Sequence, residues 1–214
     1  MTTTRMYWSD SYQREFVGKA TRVEGNRVWL DQTIFYPEAG GQAGDTGFLA
    51  TERVIDTQFD EEKNIVHILE KPASLKVGED VNGAIDWERR YKIMRVHSAS
   101  HIMEYFLFQV FGKLKLVGSH LNERHDSSSY EYNGNLPKDE LQKVQDLANE
   151  FITQGHAIET YPDEKKPNYR WWKCGDIIMP CGGTHVKSTA EIGKIKLKRK
   201  TGGQGREQVI TTVE

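Results

Sequence analysis

With 214 residues, 37% of them hydrophobic and 10% aromatic, the chain can hold one large or two small packed domains and is not a disordered polymer. Its 29 Lys plus Arg against 31 Asp plus Glu leave a net charge of −2, so any grip on a polyanion must come from local clustering. Two cysteines make no disulfide framework, the opening MTTTRMYWSDSYQREF has no apolar signal core, and no run approaches the roughly 18 apolar residues of a membrane span; a soluble cytoplasmic protein is expected.

From Glu15 to about Ile85, short β-rich runs alternate with turn signals: residues 20–23, a Gly25-Asn26 turn, residues 27–30, then 54–59 and 64–69. This spacing predicts a small barrel or curled sheet, of the kind found in translation factors. At Asp86, a residue suited to a helix N-cap, the period changes. Trp87, Tyr91, Met94, Ile102, Tyr105 and Phe106 then recur at helical spacing as far as Gly112. Residues 113–121 and 127–132 read as a strand pair, and Pro137 opens a second helix with an apolar stripe of Leu141, Val144, Leu147, Ala148 and Phe151. Residues 157–161, 177–179, 192–198 and 208–213 read as further strands. The expected class is α+β: a β-barrel-like domain over residues 1–87, then an antiparallel sheet backed by helices over residues 88–214.

Two histidines stand four apart in His97-Ser-Ala-Ser-His101, which on a helix leaves them about 40° apart around the axis and one turn above each other. Far along the chain comes Cys181-Gly182-Gly183-Thr184-His185, whose adjacent glycines argue for a loop. Thiolate and imidazole are preferred zinc donors, so a helix pair plus a loop pair predicts a three- or four-ligand Zn2+ site. Position 98 is serine where the His-Glu-x-x-His zinc proteases carry their glutamate, which argues against peptidase chemistry of that type. No paired Cys-x-x-Cys element of the common structural zinc modules is present, and Cys174 reads as a buried structural thiol.

RVHSASH (95–101) together with CGGTHV (181–186) resembles the editing domain of alanyl-tRNA synthetases and their free-standing relatives, the AlaX proteins, and more distantly the editing domain of threonyl-tRNA synthetases. IFYPEAGGQAGDTG (34–47) is similar to the glycine-rich segment that precedes this domain, and GSHLNERHDSSSYEY (118–132) and EIGKIKLKRKTGGQGREQV (191–209) are similar to its further strands. The resemblance implies an AlaX protein with the N-terminal β domain, no C-terminal extension and no room for an aminoacylation domain. It implies a zinc-dependent hydrolase acting on aminoacylated alanine tRNA. The bond cleaved joins a wrongly attached amino acid, chiefly serine with glycine second, to the 3′-terminal ribose. His97, His101, Cys181 and His185 are then the metal ligands and catalytic set. Ala39 departs from a frequent third glycine, and Gly118 falls in a pocket-lining region where some relatives carry a hydroxyl residue.

Zinc can polarise the ester carbonyl or orient the substrate through its amino group, and the sequence leaves both open. The amides of Gly182 and Gly183 are candidates to steady an oxyanion. Gly40, Gly41 and Gln42 read as a hairpin turn that also faces substrate, while Glu38 and Asp45 beside it read as solvated carboxylates rather than water-holding ones. Alanine is smaller than serine, so size cannot protect the correct product; Gln42 and Thr184 are the candidates to read the seryl hydroxyl. Lys194, Lys196, Lys198, Arg199 and Lys200, alternating along a strand, are expected to track tRNA phosphates. Tyr169–Lys173 could stack on a single-stranded tRNA end, although adjacent tryptophans are more often packing. Two competing readings are a non-catalytic zinc-containing RNA-binding module derived from a synthetase and a hydrolase of small esters or amides.

Overall fold

The computed structural model describes residues 3–203 and 205–214, so Gln204 of the 191–209 segment lies outside the described residues. Two compact units emerge, Met1–Arg90 and Tyr91–Glu214, with the division inside helix α1 (Trp87–Phe111).

The first unit is a closed barrel in the order Glu15–Glu24, Arg27–Leu30, Ile65–Leu69, Glu52–Phe59, Gly47–Leu49 and Asp80–Ile85, the last pairing back onto the first. Phe16, Gly18 and Ala20 point inward by strict alternation and join Val28, Leu30, Phe35, Leu49, Val54, Leu69 and Val81 in the core. Register shifts at Ala20/Arg22 and Val54/Asp56 allow the strands to bend into closure. Two strands that complete the ring, Gly47–Leu49 and Asp80–Ile85, carry glycine where an apolar residue would have marked them. A Cβ at Gly83 would stand 2.1 Å from the Phe16 ring, so the ring takes the place of a side chain there.

Asp86 immediately precedes α1, and its carboxylate accepts two hydrogen bonds from Arg53, at 2.9 and 2.6 Å. In the glycine-rich segment, Ala39 and Gln42 exchange backbone hydrogen bonds around Gly40 (φ +58°) and Gly41 (φ +87°), a two-residue turn with both central residues left-handed. Asp45, expected to be solvated, is instead buried. Its carboxylate accepts from Arg90 Nε at 2.9 and 3.0 Å, from Arg90 Nη2 and from the Tyr36 amide at 2.6 Å. Arg90 itself is fully buried and also donates to the carbonyls of Ile34 and Ser11. Asp45 therefore holds the segment to the start of α1, while Glu38 is exposed as expected.

His67 is buried in the barrel with Thr33 Oγ1 at 2.9 Å and the Val28 carbonyl at 3.1 Å from its ring nitrogens. Burial lowers its pKa from 6.5 to about 4, with the Val28 contact opposing. The folded state thus prefers neutral imidazole, so its contribution is complete above about pH 6.5 and is lost as pH falls toward about 4, for a total of about 3 kcal/mol. Urea unfolding at pH 7 and pH 4.5 should show a steeper acid loss for wild type than for His67→Gln; equal losses would mean that His67 is protonated in the fold.

The second unit holds the rest of α1, which Gly112 (φ +76°) terminates, and helix α2 (Lys138–Thr153), which starts directly after Pro137 and buries Leu141, Val144, Ala148 and Ile152. Two antiparallel sheets replace the single one expected: a four-stranded sheet ordered Ile195–Gly203, Arg206–Val213, Asp126–Glu131, Lys115–Leu121, and a three-stranded sheet of Ile158–Pro162, Arg170–Cys174 and Ile177–Pro180. Arg170–Cys174, the middle strand of the second sheet, is hidden in the sequence by its mixture of aromatic and basic residues. Asp126, fully buried, accepts from Ser100 of α1 at 2.6 Å, Ser119 at 2.9 Å and Ser128 at 2.7 Å, which ties α1 to the four-stranded sheet. Among the described residues no helix is long and apolar enough to cross a membrane.

Candidate metal centre

The second unit brings both ligand pairs together. His97 and His101 share one face of α1, and Cys181 and His185 lie in the loop that follows strand Ile177–Pro180; one donor atom from each lies within 4.8 Å of the other three. Cys181 Sγ is 3.5 Å from His97 Nε2 and 3.2 Å from His185 Nε2. Tetrahedral zinc, with Zn–N near 2.05 Å and Zn–S near 2.3 Å, needs donors about 3.3–3.6 Å apart. The separations from Cys181 to His97 and His185 match that spacing, and the thiolate and imidazole chemistry of the set suits the ion. His101 Nε2, buried and without a hydrogen-bond partner among the described residues, is the donor that such an ion would satisfy.

Burial keeps the three imidazoles neutral, the form that ligates. His97 is lowered to about 4 by desolvation against a hydrogen bond to the Thr184 backbone; His101 and His185 fall well below the usual range through desolvation and the neighbouring rings. Burial also pushes the Cys181 thiol up to about 11, opposed by the Gly183 amide, which donates to Sγ at 3.4 Å. Ser98 Oγ lies 3.2 Å from His185 Nδ1 and accepts from the Val186 amide at 3.3 Å. Thr184 and Ser98 thus fix two of the rings from behind, as outer partners of metal-ligating histidines do. Ser98, noted in the sequence only for what it is not, is the link between helix and loop.

Trp172 was also missed as a site residue. It is fully buried, with its ring centroid 5.0 Å from that of His101 and 5.8 Å from that of His185. Its neighbour Trp171 is partly exposed and donates from Nε1 to Asp163 at 2.8 Å, so the aromatic run splits between two faces of its strand. Cys174 is fully buried and its thiol is pushed up to about 11 by desolvation, in line with a structural role.

The remaining predicted residues lie as follows. Thr184 is buried beside the ligands, and Gly182 and Gly183 form the loop, with the Gly183 amide turned to the Cys181 sulfur rather than to an oxyanion. Gly40, Gly41 and Gln42 belong to the first unit, where Gln42 is 1% exposed. Gly118 is on the exposed side of its strand with nothing within 4 Å of an added Cβ, while Val117, Ser119 and Leu121 alternate to the covered side. Lys196, Lys198 and Lys200 are exposed on one face of the edge strand, with Lys194 exposed just before it and Lys196 paired to Glu214. Arg199 departs from that row, because alternation turns it to the other face, where it donates to buried Glu207 at 3.1 Å.

Two family models match the chain: tRNA synthetases class II (A) over residues 6–89, and the threonyl and alanyl tRNA synthetase second additional domain over residues 170–210. The chain is 37% identical over 216 residues to the alanyl-tRNA editing protein AlaX-M of Pyrococcus horikoshii, covering 99% of this chain and 98% of that one. It is 37% identical over 238 residues to the AlaX-M protein of Saccharolobus solfataricus, covering 99% of each. Against the alanine–tRNA ligase of Sulfurisphaera tokodaii it is 35% identical over 231 residues, which is 91% of this chain but 24% of the ligase.

Proposed function

The chain belongs to the AlaX family of free-standing alanyl-tRNA editing proteins, and from that premise we propose that it is an aminoacyl-tRNA deacylase that hydrolyses mischarged alanine tRNA, removing serine and, second, glycine. The observation that carries the reading is the closure of two sequence-distant pairs, His97/His101 and Cys181/His185, into one cluster of donors.

His97, His101, Cys181 and His185 would hold the metal, which we take to be zinc. A zinc ion in such a site supplies Lewis-acid polarisation of an ester carbonyl or orientation of the substrate's amino group. The chain's own groups set the frame for that chemistry. The Thr184 carbonyl and Ser98 Oγ hold the His97 and His185 rings, and the Gly183 amide stabilises charge on the Cys181 sulfur. Thr184 and Gln42 are candidates for substrate contact, and the row of Lys194, Lys196, Lys198 and Lys200 for the tRNA phosphates. We take the reaction to be cytoplasmic, where aminoacylated tRNA is used.

Deacylation of a panel of alanine tRNAs charged with serine, glycine or alanine tests the proposal. Seryl-tRNA should be hydrolysed at least about a hundredfold faster than alanyl-tRNA, since a site that bonds a hydroxyl penalises the analogue lacking it. Binding without hydrolysis of any member would overturn the enzymatic reading.

A further inference from the structure

Strand Arg170–Cys174 runs antiparallel to Ile177–Pro180, and the Cys181 amide donates to the Arg170 carbonyl at 3.0 Å, so the strand is tied to the loop that carries two of the donors. Within it, Trp172 and Cys174 share the fully buried side. The Trp172 indole lies against the rings of His101 and His185, and its Nε1 is buried with no hydrogen-bond partner among the described residues. Among the other buried polar atoms without a partner, those of Glu52 and Glu207 belong to carboxylates whose second oxygen is bonded, and His101 Nε2 and Thr211 Oγ1 complete the set among the described residues. Trp172 has a single polar atom and no such relief. An unsatisfied buried donor is a standing cost in the fold, one that an apolar ring at this position would not carry.

An indole N–H only donates, so its partner must be an acceptor, which excludes the α-ammonium of an aminoacyl group. Of the acceptors on a seryl ester, the carbonyl is common to seryl and alanyl groups, whereas the side-chain hydroxyl, for which Thr184 and Gln42 are the other candidate partners, is the one that tells them apart. We infer that Trp172 is a specificity-determining residue whose Nε1–H donates to the hydroxyl oxygen of a seryl group seated against His101 and His185. Alanine leaves this donor unsatisfied, while serine relieves it, and the difference favours serine without any exclusion by size. This inference rests on the deacylase reading and adds to it which group reads the amino acid.

The test replaces Trp172 by 3-benzothienylalanine, which keeps the bicyclic shape and exchanges N–H for sulfur, with Trp172→Phe as the encodable companion. Single-turnover hydrolysis of seryl- and alanyl-tRNA, metal content and thermal midpoint are measured on both variants and on wild type. The isosteric variant should retain its metal and show a seryl:alanyl rate ratio about tenfold below that of wild type, the value of one buried hydrogen bond. An unchanged seryl:alanyl ratio overturns the inference. So does an equal fall on both substrates, which would assign the N–H to the carbonyl or to support of the fold. A wild-type protein inactive on seryl-tRNA would instead remove the deacylase reading itself.

Discussion

His101→Ala is expected to lower seryl-tRNA hydrolysis by about a thousandfold, because Lewis-acid stabilisation is worth several kcal/mol and about 4 kcal/mol corresponds to that factor. Metal content, read by atomic spectrometry on the purified protein, should fall with it. The secondary structure should persist, since the four-stranded sheet and α1 are joined independently through Asp126, Ser100, Ser119 and Ser128, and through the apolar contacts of Ile93, Val96 and Leu121. A graded companion separates ligand from support: Ser98→Ala removes the group 3.2 Å from His185 Nδ1 but no donor to the metal, so affinity should weaken by about 10- to 100-fold while saturating metal restores the rate. Full activity of metal-free His101→Ala would refute the metal assignment. Unfolding of Ser98→Ala would show instead that its role is to hold helix and loop together.

The second large effect lies in the barrel unit. Arg90→Met should destabilise it by about 3–5 kcal/mol, because Asp45 would be left as a buried charge with only the Tyr36 amide of its charged and polar partners. The side chains of Arg90 and Asp45 are 0% and 2% exposed, so solvent cannot take the place of the lost partner. Asp45→Asn should cost a similar amount, and the double replacement less than the two singles together, since neither charge then remains alone. Denaturant midpoints of the four proteins of this cycle measure the coupling. Additive losses would mean that water reaches the pair.

The cluster of four donors was legible in the sequence because each half is local: a His-x3-His spacing fixed by helix geometry and a Cys-Gly-Gly-Thr-His loop. What orients it was not. Ser98 and His185 are 87 positions apart, and Trp172 belongs to a strand whose mixture of arginine, tryptophan and lysine masks its alternation. The barrel was visible through its apolar strands but not through Gly47–Leu49 and Asp80–Ile85, since glycine stands at inward positions where neighbouring atoms approach. Asp45 reads as a polar loop residue because its counter-charge comes 45 residues later. The alternation of the basic run is plain in the sequence, yet that same alternation removes Arg199 from the lysine row and gives it to Glu207.

At the tip of the glycine-rich turn, a Cβ added to Gly40 would meet nothing within 4 Å, yet the residue sits at φ +58°. The obstacle to replacing it is therefore handedness and not room: a mirror-image D-alanine suits that backbone, while an L-residue must strain to adopt it. Gly41, at φ +87°, shares the constraint. Ribosomal synthesis offers only L-residues, so natural variation can give this tip no side chain without strain. Any chemical diversification of the turn is left to Ala39 and Gln42, the two residues whose backbones close it.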